Sequence, residues 1–303
     1  MHYLFISLGR VMNLIGENIH IISKAISEAV KGRDAGVIQN LAKAQTEAGA
    51  DYLDLNMGPA RQNPEEVASW LVNTVQAVTD LPLSIDTMNP VAMEAALKLC
   101  KRRAIINSAS GKAESKAQMM PLAIVYDTEI ILSVITDAGC PPDVDTRVEA
   151  IMDTFSYATG LGIQAEDIRV DPIILPISAD QKQCREALEF IKILPDLIPG
   201  IKSLIGLSNV SNGTPGPLRG ILNRTYLIMM ERYGLYSAIV DVLDLELMEM
   251  NRGGLQETKQ LIYSVMDGEQ VSMTGLSQKE QDYVKTARVL HGDALYSHAW
   301  LES

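Results

Sequence analysis

Residues 82–90 read Pro-Leu-Ser-Ile-Asp-Thr-Met-Asn-Pro, a short apolar run that leads through an aspartate to an Asn-Pro pair. Near-continuous hydrophobicity over residues 82–87 is typical of a strand that is buried on both faces of a parallel sheet. Asn89 and Pro90 supply a cap and a proline at the first helical position, so a helix is expected to follow. The stretch therefore predicts one strand–helix unit with Asp86 at the carboxyl end of its strand.

The same unit recurs along the chain. Amphipathic stretches separate the apolar runs; one of them places Cys184, Leu188 and Ile191 on a single helical face. Eight strand signals, each followed by a helix signal, predict the α/β class and a (β/α)8 TIM barrel. A doubly wound open sheet is the rival, but no GxGxxG follows the first strand. The other predicted strands are 13–19, 51–57, 104–108, 129–135, 168–174, 203–210 and 238–243.

The chain has 303 residues, enough for one large α/β domain with a full hydrophobic core. We assign residues 12–265 to the barrel and residues 266–303 to a helical C-terminal appendage. Residues 1–11 are interpreted as extra N-terminal residues, because Met12 is a second potential initiator.

Composition and charge exclude several classes of protein. Lys plus Arg number 26 against 38 Asp plus Glu, and a net charge of −12 disfavours nucleic acid and anionic membranes as partners. No apolar run approaches the roughly 20 residues that span a bilayer. Three scattered cysteines suggest reduced thiols and a cytoplasmic protein, and four histidines without an HxH or HExxH pair predict no metal site.

Polar residues cluster at the predicted strand ends, where TIM barrels carry their chemistry. Taken singly, each has a structural interpretation: Asp86 as a loop cap, His20 as a hydrogen-bonded imidazole. Together they predict a site for a neutral heterocycle rich in hydrogen-bond donors, because burying uncompensated polar groups is costly. The residues are Glu17, Asn18, Asp54, Asn56, Asp86, Asn107, Ser108, Asp171, Ser208, Asn209, Asn212 and Asp241.

The motifs at these positions resemble one family. They are Ile15-Gly16-Glu17-Asn18-Ile19, Leu53-Asp54-Leu55-Asn56-Met57-Gly58-Pro59, Ile85-Asp86-Thr87-Met88-Asn89, Ala104-Ile105-Ile106-Asn107-Ser108, Asp171-Pro172-Ile173-Ile174-Leu175-Pro176, Gly206-Leu207-Ser208-Asn209-Val210-Ser211 and Leu222-Asn223-Arg224-Thr225-Tyr226-Leu227. In this order they resemble the pterin-binding methyltransferases, and closely the methyltetrahydrofolate–corrinoid protein methyltransferases. The resemblance spans about residues 12–265.

The resemblance implies a TIM barrel, a homodimer, and tetrahydrofolate or methyltetrahydrofolate as substrate. It implies that Asp86, Asn107 and Asp171 hold the pterin ring, and that Asn209 is the catalytic residue, hydrogen-bonding at N5. A corrinoid protein is the implied partner, since no DxHxxG-type cobalamin signature occurs in this chain. The remaining predicted pterin-site residues are Glu17, Asp54, Asn56, Ser208, Asn212 and Arg219.

Two differences from the family concern the substrate tail and the partner more than the pterin. The family's first strand often reads Gly-Glu-Arg-x-Asn, where this chain has Asn18 and His20, and a common Gln after strand 7 is Asn212 here. The pterin chemistry suits the residues: an aminopyrimidinone edge offers N–H donors that a carboxylate accepts in parallel. An amide such as Asn209 can donate a hydrogen bond to N5 that strengthens in the transition state.

Two alternative functions stay open. A dihydropteroate synthase would want a Lys and an Arg after strands 7 and 8, where this chain has Ser208-Asn209-Val210-Ser211, Asp241 and Asp244. A non-catalytic folate-binding subunit of a corrinoid complex is the other. The direction of methyl transfer also stays open, from methyltetrahydrofolate to the corrinoid or from a methyl-corrinoid to tetrahydrofolate in a demethylase system.

Overall fold

Eight parallel strands close into a barrel in which neighbours in sequence are neighbours in space and β8 pairs back onto β1. The computed structural model describes residues 12–302; the predicted N-terminal extra residues 1–11 lie outside the described residues. The predicted TIM barrel is confirmed. Its strands are β1 Asn13–His20, β2 Tyr52–Gly58, β3 Leu83–Thr87, β4 Ile105–Ser110, β5 Glu129–Ser133, β6 Ile168–Asp171, β7 Lys202–Gly206 and β8 Ser237–Val240.

Helices surround this barrel, and the strand–helix unit at residues 82–90 forms as predicted. The Asn89 side chain accepts hydrogen bonds from the backbone N–H groups of Val91 and Ala92, at 3.0 and 3.4 Å. Within residues 12–302 no helix is long and apolar enough to cross a membrane. The helices are α1 Lys24–Gly32, α2 Ala35–Ala48, α3 Pro64–Gln76, α4 Pro90–Leu97, α5 Ala113–Val125, α6 Val144–Gly160, α7 Lys182–Leu197, α8 Gly216–Arg232, α9 Leu245–Asn251, α10 Gln256–Met266 and α11 Gln278–His291.

Four predicted strands, β5, β6, β7 and β8, end earlier than their apolar runs. β6 stops at Asp171, because Pro172 has no N–H for the ladder and Ile173 adopts a positive φ of 60°. β7 stops at Gly206, and residues 207–211 form a 3₁₀ turn. The residues predicted at the end of strand 7 therefore lie on a turn that leads away from the sheet.

The barrel interior is filled by side chains. Ile15, Ile105, Ile131 and Leu204 are fully buried and pack together in the lumen, where Ile239 also contacts them. A larger apolar layer lies between the outer face of the sheet and the helices. The filled lumen leaves the two ends of the barrel as the places for polar chemistry.

Register shifts occur near the carboxyl ends of three strands. β1 carries Glu17 and Asn18 where β2 carries one residue, and β4 carries Asn107 and Ser108 where β5 carries one. A third shift falls between Asn56 and Gly58 on β2. The Asn107–Ser108 peptide bond is cis. Bulges re-aim side chains at the ends of a sheet, and here they fall at predicted site residues.

The C-terminal segment is helical at α11 and packs against α7, α8 and α10. Tyr283 of α11 is fully buried, and its hydroxyl accepts a hydrogen bond from Arg224 Nε at 3.0 Å. After α11 the chain returns to place Trp300, 2% exposed, where its indole N–H donates to Thr286 Oγ1 at 2.9 Å. The appendage thus shares the hydrophobic core of the barrel.

Candidate functional site

The predicted polar residues gather at one end of the barrel, which we call the mouth: the carboxyl ends of the strands and the loops that follow them. They come from strands distant in sequence, so the closed barrel brings them together. The residues are Glu17 on β1, Asp54 and Asn56 on β2, Asp86 on β3, Asn107 on β4, Asp171 at the end of β6, Ser208, Asn209 and Asn212 after β7, and Arg219 in the first turn of α8.

Asp54 lies deepest in the mouth. It is 4% exposed, and its Oδ1 accepts hydrogen bonds from Ser84 Oγ at 2.6 Å and Asn107 Nδ2 at 3.1 Å. Burial raises the pKa of its carboxyl, although both hydrogen bonds lower it. Asp54 thereby fixes the orientation of the Asn107 amide above it.

Asp86 lies next to this pair and is partly exposed. Asn56 Nδ2 donates a hydrogen bond to Asp86 Oδ2, and Asn56 Oδ1 accepts the backbone N–H of Gly58 at 3.1 Å. Burial, followed by the nearby charge of Asp54, raises the pKa of Asp86. The two carboxyls together hold a proton more readily than free aspartates do.

Asp171 is held by its own turn. Its Oδ1 accepts the backbone N–H of Ile173 at 2.8 Å. Burial raises the pKa of Asp171 to about 7, against the lowering effects of that N–H and of the Arg147 charge. Asp171 therefore titrates close to neutral pH in the free protein.

Glu17 faces the β7 side of the mouth. Ser208 Oγ donates a hydrogen bond to Glu17 Oε1, which joins β1 to the turn after β7. Burial raises the pKa of Glu17 to about 7; the Ser208 hydrogen bond opposes the shift and the charge of Asp241 adds to it. Asp241 in turn accepts a hydrogen bond from Asn18 Nδ2 at 2.9 Å.

The turn after β7 carries an exposed amide, Asn209. Its Oδ1 accepts from Asn212 Nδ2 at 3.4 Å, and Arg219 Nη2 approaches Asn212 Oδ1 at 3.4 Å. Arg219 also donates through Nε to Ser211 Oγ at 3.0 Å. A Cβ on Gly206 would lie 3.0 Å from Asn209 Nδ2, so only glycine leaves this amide unhindered. Arg219 and Asn212 hold the turn that presents Asn209.

Two further residues bear on the predictions. His20 Nδ1 accepts the backbone N–H of Ser23 at 3.3 Å and its pKa is lowered by burial, which confirms it as a hydrogen-bonded imidazole. Arg147 is fully buried on α6 and its charge acts on Asp171, but it is absent from the site residues that the sequence predicts. Its sequence signal is its spacing: it shares a buried helical face with Ile151 and Thr154. In the described part of the chain no three His, Cys, Asp or Glu side chains are grouped to hold a metal ion.

The mouth is thus a set of buried carboxyls with raised pKa values, bordered by amides. Glu17 and Asp171 both titrate near pH 7. Such groups accept hydrogen bonds when ionised and donate them when protonated. They suit an uncharged ligand with several N–H groups, because each N–H would compensate a carboxylate that the fold leaves short of partners.

Comparison with known proteins finds relatives in sequence and in fold. The chain is 28% identical over 239 residues to a methylcorrinoid:tetrahydrofolate methyltransferase of Eubacterium limosum, covering 78% of this chain and 88% of that protein. It is 27% identical over 238 residues to a methionine synthase of Mycobacterium leprae, of which it spans 20%. A dihydropteroate synthase of Xanthomonas albilineans in complex with 7,8-dihydropteroate shares the fold with a TM-score of 0.61 at 19% identity, over 84% of this chain and 95% of that one.

A family model described as pterin binding enzyme matches residues 23–241. This range runs from the loop after β1 to the residue after β8, so it takes in nearly the whole barrel. It includes Asp54, Asp86, Asn107, Asp171 and Asn209, the side chains that line the mouth. The chain belongs to the pterin binding enzyme family.

Proposed function

We propose that this chain is a methyltransferase that moves a methyl group between N5 of a tetrahydrofolate and the cobalt of a corrinoid carried by a partner protein. The observation that carries the proposal is the exposed Asn209 amide at the edge of a carboxyl-lined mouth. The name of the Eubacterium limosum relative, similar over 78% of this chain, supports it. Both directions of transfer are included, because they cross the same transition state.

The pterin is held by Asp86, Asn107 and Asp171 in this proposal. The aminopyrimidinone edge of a pterin presents a ring N–H and an amino group, which a carboxylate accepts as two parallel hydrogen bonds. Asp54 is too deeply buried to share that contact and acts through Asn107 instead. Ligand N–H groups would compensate carboxylates whose burial is otherwise unfavourable.

Asn209 acts at N5. A tertiary amine is a poor leaving group, because the electron pair of the breaking C–N bond passes to N5 and N5 gains negative charge as the methyl departs. An amide N–H that bonds N5 more strongly in the transition state than in the ground state accelerates the step. Asn212 Nδ2 donates to the side-chain oxygen of Asn209, and Arg219 contacts Asn212 in turn, which leaves Nδ2 of Asn209 for the substrate.

The partner has to reach the mouth, since that is where N5 would lie. When bound, the corrinoid supplies the cobalt that accepts or donates the methyl group. Three of the most exposed large apolar side chains, Ile22, Met88 and Leu245, are 84%, 82% and 81% exposed. They follow β1 and β3 and begin α9 after β8, so they border one side of the mouth. Exposed apolar groups at such a rim favour contact with a protein partner. The homodimer implied by the resemblance stays a prediction.

The test is a methyl-transfer assay with 5-methyltetrahydrofolate and a corrinoid protein, on the parent and on Asn209→Ala. Loss of one preorganised donor is expected to slow single-turnover transfer about a hundredfold, on the order of 3 kcal/mol, with little change in folate affinity. Asn209→Asp is the matched variant: it keeps the shape and loses the N–H donor, so it should be equally slow. Parental rates in both variants would remove Asn209 from the mechanism.

The same assay separates the alternatives. A non-catalytic folate-binding subunit would bind 5-methyltetrahydrofolate and transfer no methyl group to or from the corrinoid. A dihydropteroate synthase would form dihydropteroate from 4-aminobenzoic acid and a dihydropterin substrate. Methyl transfer by the parent protein, with no dihydropteroate formed, is the result that the proposal requires.

A further inference from the structure

Arg147 is a buried cation that none of the sequence motifs includes. It is 0% exposed, in the first turn of α6. A buried guanidinium usually has a carboxylate partner, because its desolvation is costly. Here Nε donates to Pro172 O at 3.1 Å and Nη2 to Gln183 Oε1 at 2.6 Å, both uncharged acceptors. Neither hydrogen-bond acceptor therefore neutralises the positive charge of Arg147.

The turn above Arg147 is strained. Ile173, a β-branched residue, adopts a φ of 60° in the left-handed region, which is unfavourable for any side chain other than glycine. Two hydrogen bonds hold the turn: Ile173 N–H to Asp171 Oδ1, and Arg147 Nε to the carbonyl of Pro172 between them. The shape of the turn decides where the Asp171 carboxyl points.

Arg147 is itself anchored through Gln183 to the start of α7 and to the loop after β5. Gln183 accepts its Nη2 and donates through Nε2 to Pro142 O at 2.6 Å. Gln183 lies in the first turn of α7 and is 5% exposed. Arg147 and Gln183 together thus tie the loop after β5, the turn after β6 and the start of α7 into a single unit.

We propose that Arg147 is a positioning residue of the pterin site: it fixes the 171–173 turn in the shape that presents Asp171 and supplies positive charge from below. This inference rests on the proposed function, because it assumes that Asp171 receives a pterin. Arg147 does not touch the ligand; it acts through Asp171.

The charge of Arg147 gives the inference a readout that packing alone would not change. Burial raises the pKa of Asp171 to about 7, and the Arg147 charge opposes the rise. The groups that face Asp171 are Arg147 from α6, the Ile173 N–H from its own turn, and the Cys140 thiol, whose pKa is raised by burial. Without Arg147 the pKa of Asp171 goes higher, so the carboxylate is lost at a higher pH.

The experiment is calorimetric titration of 5-methyltetrahydrofolate into the full chain between about pH 5.5 and 8.5, the range in which a carboxyl of pKa about 7 titrates. Arg147→Met is expected to bind about tenfold more weakly at pH 7, with the loss of affinity on acidification moved to higher pH. Arg147→Lys keeps the charge and should return the pH midpoint to that of the parent. A midpoint and an affinity equal to the parent's in Arg147→Met would overturn the inference.

Two further variants keep the test decisive. Arg169→Met is the matched control, because Arg169 is also buried, 1% exposed, at the opposite end of the barrel; it should leave the pH midpoint unchanged. If Arg147→Met does not fold, Gln183→Met loosens the same anchor and should weaken affinity while keeping the midpoint. Failure of the parent protein to bind 5-methyltetrahydrofolate would refute the proposed function, whereas normal binding by the variants refutes only the role of Arg147.

Discussion

The two ends of the barrel bury ionisable side chains in opposite ways. At the base, where the strands begin, Glu129 accepts hydrogen bonds from Arg169 Nε and Lys202 Nζ, both at 3.0 Å. Tyr52 OH donates a further bond to Glu129 at 3.2 Å. At the mouth, Glu17 receives one hydroxyl from Ser208, and its other close ionisable neighbours include Asp241 and Asp54.

The pKa values follow this difference. Burial raises the pKa of Glu129, but the charges of Arg169 and Lys202 outweigh it and the pKa is lowered. For Glu17, burial outweighs the remaining effects and raises the pKa to about 7. Two glutamates on strands of the same barrel thus differ because of their partners. The base neutralises its charges within the chain, whereas the mouth leaves acceptors that a ligand must satisfy.

The largest loss of stability is expected from a change at the base. Arg169→Met leaves Glu129 buried beside Lys202 alone, and the free energy of unfolding should fall by about 3 kcal/mol. Urea denaturation at pH 7 measures it. Affinity for 5-methyltetrahydrofolate should stay at the parental value, because Arg169 is remote from the mouth.

Lys202→Met is the control for that change. The Lys202 side chain is 22% exposed, and both Arg169 hydrogen bonds to Glu129 remain without it. A smaller loss of stability is expected than for Arg169→Met. Equal losses for the two variants would mean that the deeper burial of Arg169 does not make its ion pair with Glu129 more stabilising than that of Lys202.

At the mouth, removing a charge should raise the free energy of unfolding instead of lowering it, and Asp86→Asn tests this. A carboxyl whose pKa is raised on folding stabilises the fold at low pH and loses that contribution as the pH rises through its folded pKa. Asn does not titrate, so Asp86→Asn should raise the free energy of unfolding of the ligand-free protein at pH 8 by about 1–2 kcal/mol. The gain should become small near pH 3, below the ordinary aspartate pKa of 3.8, where Asp86 is mostly protonated in both states.

Affinity should move the other way in the same variant. An asparagine cannot accept the two N–H groups of a pterin edge as a carboxylate does, so 5-methyltetrahydrofolate should bind about 2 kcal/mol more weakly. Chemical denaturation at about pH 3 and pH 8, with calorimetry at pH 8, measures both effects. A stability change that is the same at both pH values would show that folding does not shift the pKa of Asp86.

Many residues of the mouth could be predicted because the sequence on either side of them indicates the end of a strand. Asp86 follows an apolar run and precedes an Asn-Pro helix start, so its place at a strand end needs only the neighbouring sequence. The barrel then follows from repetition of that unit. Glu17, Asn107 and Asp171 were found in the same way.

The rest depends on contacts that no local pattern contains. The register shifts that place Glu17 and Asn107 arise from pairing between strands. The Glu129–Arg169 pair joins residues 40 positions apart. The sequence predicts strand at Ser208 and Asn209, since the apolar run continues through Val210. The structure has a 3₁₀ turn there instead, and Ser208 hydrogen-bonds Glu17 across the mouth.

The appendage supplies the smallest expected effect, through a side-chain hydrogen bond to the loop after Asn209. Tyr296 OH lies 2.8 Å from Thr214 Oγ1, in the loop that follows Asn209. The backbone N–H of Tyr296 also donates to Gln181 Oε1 at 3.0 Å, which fixes the ring beside that loop. If uncharged contacts alone hold the mouth loops, losing this one should have a modest effect on stability and on transfer.

Tyr296→Phe should lower the free energy of unfolding by about 1 kcal/mol, the usual contribution of one neutral hydrogen bond. Methyl transfer should slow by about threefold or less, since Arg219 and Asn212 still hold Asn209. Thr214→Val removes the other partner, and the double variant should lose no more than the singles if the two hydroxyls act only on each other. Additive losses would mean that each hydroxyl has another partner. A loss of transfer as large as that of Asn209→Ala would make the appendage part of the catalytic loop, and the mouth would then depend on the C-terminal segment as strongly as the base depends on Arg169.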